Sequence, residues 1–221
     1  QAGLRPEYWT DAMVANSAST AIIGSSADSF VGYTAASTSA AIDPLSKVGN
    51  YSVASFDMSA GGNNFFVAGD SAATSGLLTY TGGPDPDNLT FGSYLAYDGR
   101  ATFDMSLGGN NTFVAGEHAA KSGGEIAYTG GRGEDNLTFG DYLSQRYGAA
   151  VNFDMSLGGN NTFVAGDEAA YRNGQITYTG GPDEDNLTFG DDLAYEGEAT
   201  FDMSLGGNNT FVAGDEAAYR N

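Results

Sequence analysis

The 221-residue chain contains no cysteine, one tryptophan, one histidine and only 8 lysine and arginine residues. Without cysteine there can be no disulfide, no thiolate metal site and no cysteine nucleophile, and a lone His118 excludes multi-histidine zinc centres. Basic residues are outnumbered by 28 Asp and Glu, a formal charge of -20. Such a chain has no positive face with which to meet nucleic-acid phosphate or an anionic membrane. No run of apolar residues is long enough for a transmembrane helix, and Gln1 is followed by neither a charged nor an apolar leader region, as expected of a processed or excised chain. What is abundant is glycine, 33 residues, together with 41% hydrophobic and 12% aromatic residues, enough to bury a core.

The chain is an array. Phe-Asp-Met-Ser recurs at Phe56, Phe103, Phe153 and Phe201, in steps of about 48 residues, each time followed by Gly-Gly-Asn-Asn and Phe-Val-Ala-Gly. Tyr-Thr-Gly-Gly segments at Tyr80, Tyr128 and Tyr178 intervene, each leading into Asp-Asn-Leu-Thr-Phe-Gly. Segments 175–197 and 198–221 are variants of one half-unit, so the 48-residue unit is a double repeat with a structural period near 24. Ile176 and Tyr178 alternate with Thr177 and Thr179, as Phe201 and Met203 do with Thr200 and Asp202, and a period of two means strand. Each half-unit therefore reads as strand, Gly-Gly turn, strand and return loop. A two-stranded unit cannot bury its aromatic face alone, whereas stacked coils about 4.8 Å apart can.

These patterns predict an all-β fold, an elongated β-solenoid or β-roll of about seven coils over 51–221, with an atypical segment 1–50 as N-terminal cap. Separate 48-residue hairpin or sandwich modules are the competing architecture. Within 1–50, Ala27-Asp28-Ser29-Phe30-Val31-Gly32 echoes the repeat and implies one degenerate coil, while Tyr8, Trp9, Met13 and Val14 are candidates for an assembly contact with a second copy. The second-strand phenylalanines Phe66, Phe91, Phe113, Phe139, Phe163, Phe189 and Phe211 recur once per half-unit and are expected to form one buried column.

Stacking also aligns acids. The residue after each second strand reads Asp70, Ser93, Glu117, Asp141, Asp167, Asp191 and Asp215, and a second group, Asp85, Asp87, Glu134, Asp135, Asp183, Glu184 and Asp185, occupies the long Gly-Gly turns. Carboxylates one strand spacing apart repel, and hard divalent cations bound through oxygen would convert the repulsion into cross-links. A hydrated, solubilising acidic surface is the alternative. Gly130-Gly131-Arg132-Gly133-Glu134-Asp135-Asn136-Leu137-Thr138 resembles the Gly-Gly-x-Gly-x-Asp-x-Leu-x nonapeptide of hemolysin-type (repeats-in-toxin) calcium-binding β-rolls, and Asn-Asn-Thr-Phe-Val-Ala-Gly-Asp is similar to segments of calcium-dependent bacterial surface-layer proteins. That resemblance implies calcium held between coils by Asp135 and the matching Asp87 and Asp185. The period of 24 rather than 18, and the missing Asp in Gly108-Gly109-Asn110-Asn111, depart from the family pattern.

Asn88, Asn110, Asn136, Asn160, Asn186 and Asn208 each precede a Thr by two positions, and Asn50 precedes Ser52 in the same way. These are glycosylation sequons and candidate glycan sites, although a hydrogen-bonded asparagine ladder in one column accounts for the same residues. His118 has no recurring partner, and its equivalents are Ser71, Glu168 and Glu216, which suits an exposed loop position better than a general base. A glycosidase-like carboxylate pair would occur once, whereas these acids recur in every unit. Thr79-Tyr80-Thr81 resembles an ice-binding solenoid face, but alternate coils place Asp104 or Asp202 there. The expectation is a non-enzymatic, extracellular, calcium-stabilised structural protein that assembles head to tail into a surface layer or fibre. The alternative is a spacer in a calcium-dependent adhesin, ahead of a carbohydrate-active β-helix enzyme.

Overall fold

In a computed structural model, residues 19–23, 29–31, 53–59, 61 and 63–219 are described. Among them there is no helix, and all regular structure is parallel β-sheet wound as a solenoid. One eight-stranded sheet takes the first strand of each coil: Ser19–Ile23, Val53–Asp57, Leu77–Thr81, Arg100–Asp104, Glu125–Thr129, Ala150–Asp154, Gln175–Thr179 and Glu198–Asp202. A second takes Ser29–Val31, Phe65–Ala68, Asn88–Phe91, Thr112–Ala115, Asn136–Phe139, Thr162–Ala165, Asn186–Phe189 and Thr210–Ala213. A third side carries two-residue strands, Ala120–Lys121, Ser144–Gln145 and Ala170–Tyr171 in one sheet and Ala194–Tyr195 with Ala218–Tyr219 in another.

The alternation seen in the sequence is the burial pattern. In Glu125–Thr129, Ile126 and Tyr128 point in while Glu125, Ala127 and Thr129 face outward. Apolar side chains from all three sides meet in one continuous core running along the axis.

The register differs from the expected one on the second sheet. Leu137 pairs with Phe113 and Phe163, and Phe139 pairs with Ala115 and Ala165. The phenylalanines therefore do not form one column. They alternate between two, offset by two positions, with leucine and alanine filling the intervening places. The rings still touch in a zigzag: Phe113 to Phe139 is 5.3 Å between centroids, Phe139 to Phe163 is 5.7 Å and Phe163 to Phe189 is 5.3 Å, all tilted. The uneven spacing of the phenylalanines along the chain is this zigzag superimposed on a coil of about 24 residues.

The reason for the zigzag is volume. Each inward column alternates large with small from coil to coil: Leu95, Ala119, Leu143, Ala169 and Leu193 on the third side, and Met105, Gly130, Met155, Gly180 and Met203 at the first turn. A Cβ on Gly130 would lie 2.6 Å from Met155 Cε, so the methionine of one coil occupies the space the glycine of the previous coil leaves. Two kinds of coil are thus stacked alternately. One carries Phe, Met, Asn, Phe and Ala (Phe103, Met105, Asn111, Phe113, Ala115), the other Tyr, Gly, Asp, Leu and Phe (Tyr128, Gly130, Asp135, Leu137, Phe139). Interiors are packed near crystal density, so a bulky row must rest on a slender one. This is why the sequence repeats only at every second coil.

Candidate functional site

Two polar features run the length of the solenoid: a ladder buried inside it and an acidic column outside it.

The inner ladder comes from the residue before each second strand: Asn64, Asp87, Asn111, Asp135, Asn161, Asp185 and Asn209. Asn111 donates both its backbone N–H (3.1 Å) and its Nδ2 (2.8 Å) to Asp135 Oδ1, and Asn161 does the same to Asp185 Oδ1 at 3.3 and 2.8 Å. The aspartates pass the pattern on, since the Asp135 N–H donates to Asn161 Oδ1 at 3.1 Å and the Asp185 N–H to Asn209 Oδ1 at 2.8 Å. Asp87, Asp135 and Asp185 are all fully buried. Burial raises the carboxyl of each above the ordinary range, and holds Asp135 at about 6, against the opposing pull of its asparagine donors. Asp135 Oδ2 and Tyr128 Oη are buried without a well-formed hydrogen bond, yet lie near enough for the phenol to favour the carboxylate. The phenols of Tyr128 and Tyr178 are pushed up, first by burial and then by the neighbouring aspartates.

The asparagine ladder anticipated from the sequons is therefore real in kind but sits one residue away. Asn88, Asn136 and Asn186 share their column with Thr112, Thr162 and Thr210 rather than with Asn110, Asn160 and Asn208. The second asparagine of each Gly-Gly-Asn-Asn is the one turned inward. Asn88, Asn110, Asn160 and Asn208 are exposed or partly exposed, as are Asn136 and Asn186; Asn110 Oδ1 accepts the Glu134 N–H at 3.0 Å. Asn50 lies outside the described residues, as do Tyr8, Trp9, Met13 and Val14.

The outer column has the expected register. Asp141 Oδ1 accepts the backbone N–H of Asp167, Asp167 that of Asp191, and Asp191 that of Asp215, at 2.8 to 2.9 Å; Asp70 does this for Ser93. The glycine preceding each of these acids is explained by the same contact, because a Cβ on Gly166 or Gly190 would overlap the carboxylate of the coil before it. Each carboxylate thus gains a charge-assisted bond to a backbone donor that stacking leaves beside it. The next residue, Ser71, Tyr94, His118, Tyr142, Glu168, Asp192 or Glu216, is left-handed in every coil although none is glycine. In all of these but Glu216 the N–H donates to a carbonyl of the next coil, as His118 does to Asp141 at 2.8 Å. His118 is not a simple exposed loop residue. Its ring is stacked between Tyr94 (5.0 Å) and Tyr142 (4.8 Å), and burial lowers its pKa.

The turn acids do not come together as a metal cage. Asp87, Asp135 and Asp185 point into the core and take amide donors, whereas Asp85, Glu134, Asp183 and Glu184 face outward, with Asp183 Oδ2 accepting the Gly159 N–H at 3.0 Å. Among the described residues, no group of three or more Asp, Glu, His or Cys side chains lies together. The first-sheet outer column alternates Asp57, Thr81, Asp104, Thr129, Asp154, Thr179 and Asp202. Each of Asp57, Asp104, Asp154 and Asp202 accepts the N–H of the serine two positions on, which tightens the turn. No protein family, curated protein or solved structure matches this chain.

Proposed function

We propose that the chain is a non-enzymatic structural module that works outside the cell, a rigid solenoid that associates head to tail into a layer or fibre. The observation that carries this reading is repetition: the inner asparagine–aspartate ladder and the outer acidic column each recur from coil to coil along the axis instead of marking one coil as a site. A stack of parallel strands has two unlike ends, and joining one to the other in a second copy does not close on itself, and produces filaments.

Calcium enters this reading as a neutralising ion along the outer column of Glu117, Asp141, Asp167, Asp191 and Asp215. Light scattering and electron microscopy of the whole chain over a range of concentrations, with and without millimolar calcium, test the reading. Ordered polymers are expected, and a chain that stays monomeric at high concentration with calcium refutes it. In that event a spacer in a larger adhesin, favoured by the same uniform repetition, becomes the better account.

A further inference from the structure

We infer that the outer face of the second sheet is a contact surface, and that its occupant is the same face of a second copy of this chain, lying alongside and pointing the same way. The inference adds a side-to-side contact to the head-to-tail reading and rests on that reading only for the strength of the contact.

Charge singles the face out. In a chain of net charge -20, the second-sheet strands from Phe65–Ala68 to Thr210–Ala213 contain no charged residue. The first sheet carries Arg100, Asp104, Glu125 and Asp154 at outward positions, and the third side carries Lys121. Acids border the neutral face without entering it: Glu117, Asp141 and Asp167 stand two residues after their strands, and Glu134 and Glu184 two residues before theirs. Two such solenoids repel, and like charges set directly against each other oppose contact most strongly. Apposing the uncharged faces keeps the carboxylates at the margins, where water and cations screen them.

The face is also its own complement. Each strand turns its first and third residues outward, so the outer surface is two columns wide. In the coils with methionine the pair is Thr112 and Val114, or Thr162 and Val164; in the coils with glycine it is Asn136 and Thr138, or Asn186 and Thr188. A two-fold axis running along the solenoid between two copies sets the first column of one against the second column of the other at every coil. Thr162 then meets Val164 of the second copy, methyl against methyl, and Asn136 meets Thr138 of the second copy, amide against hydroxyl. Displacing one copy by a single coil sets Asn136 against Val164 of the second copy and leaves its amide without a partner, so the alternation fixes the register.

The size of the face decides how strong the contact is. Strands about 4.8 Å apart and about 13 Å long give roughly 400 Å² from Phe65–Ala68 to Thr210–Ala213. That is about half of what each partner contributes to a standard protein interface. Single chains therefore pair weakly, whereas copies joined end to end pair more firmly as their faces add. The product is a paired filament.

Two variants on separate chains, produced without glycosylation, test the contact. Val164→Glu alone sets a carboxylate against a neutral partner and should raise the concentration needed for side-to-side association, followed by sedimentation, at least tenfold. Mixing it with chains carrying Thr162→Lys puts the new carboxylate opposite the new ammonium and should bring association back to the parent's. A zero-length carbodiimide should then couple position 164 of one chain to position 162 of the other, with the link identified by mass spectrometry. Both positions face outward, so circular dichroism of dilute samples should show each variant folded as the parent is. In electron micrographs the parent's filaments should be two solenoids wide and those of Val164→Glu one. Parent filaments one solenoid wide, a folded Val164→Glu that associates as the parent does, or a mixture that neither recovers nor yields the 164-to-162 link would each overturn this pairing and leave the head-to-tail reading standing. A parent chain that stays monomeric throughout overturns both.

Discussion

Asn111 and Asp135 belong to successive coils, yet the Asn111 Nδ2 donates to Asp135 Oδ1 at 2.8 Å inside the solenoid, and the Asn111 backbone N–H shares the same oxygen at 3.1 Å. One carboxylate oxygen joins two coils, and the same pairing recurs between Asn64 and Asp87 and between Asn161 and Asp185. A buried polar group is tolerated only where its hydrogen bonds are made. This ladder therefore selects in-register stacking against alternatives that would leave amides and carboxylates unpaired.

The pH dependence follows from its aspartates. Burial raises Asp135 from 3.8 to about 6 and moves Asp87 and Asp185 in the same direction. The folded state then binds protons more tightly than the unfolded state, so this contribution is fully present below about pH 4 and is lost as pH rises through about 6. Thermal unfolding followed by circular dichroism should show the melting temperature falling between pH 4.5 and 7.5. Asp135→Asn should flatten that slope by a contribution of about 2–3 kcal/mol. An unchanged slope would show that Asp135 is solvated in the folded protein.

The aromatic zigzag should be costly to interrupt. Phe163 is fully buried and its ring lies within 6 Å of those of Phe139, Phe153, Tyr178 and Phe189. Phe163→Ala is expected to lower stability by about 3–5 kcal/mol through the cavity it leaves. A loss under about 1 kcal/mol in urea denaturation would place the column at the surface.

Alternation between coils can be separated from packing within one. Leu137→Phe with Phe139→Ala gives the Asn136–Phe139 strand the inward residues of its neighbours. The new ring then sits between Phe113 and Phe163 in one column, and the new alanine between Ala115 and Ala165 in the next. Overpacking in one column and a void in the other should cost about 3 kcal/mol or more. Stability equal to the parent would mean that coils are interchangeable and that the doubled sequence period has another cause.

Calcium should act through the outer column. The carboxylates of Asp141, Asp167 and Asp191 each take one backbone donor and remain one strand spacing apart, so neutralising ions should relieve their repulsion in the folded state. At low ionic strength the melting temperature should rise with millimolar calcium and fall on addition of chelator. Identical curves in both conditions would remove cations from the account.

Much of this protein is legible from its sequence because it depends on short-range regularities. Alternation in Ile176-Thr177-Tyr178-Thr179 specifies strands and their inner face, and the glycine pairs specify turns. Recurrence of the half-unit specifies stacked coils, since no coil can bury its own aromatics. The acidic column was readable for the same reason, as it lies at a constant distance from each strand. What only the tertiary structure decided is the register within the second sheet. Sliding a strand by two positions keeps every inward side chain inward, so the alternating pattern is equally satisfied with Phe139 beside Phe113 or beside Ala115. The choice falls on alanine because of volume and hydrogen bonding between coils: Phe over Ala, Met over Gly, and Asn111 against Asp135. Those complementarities join residues from different coils, and the same choice turned Asp87, Asp135 and Asp185 from surface turn acids into members of the core.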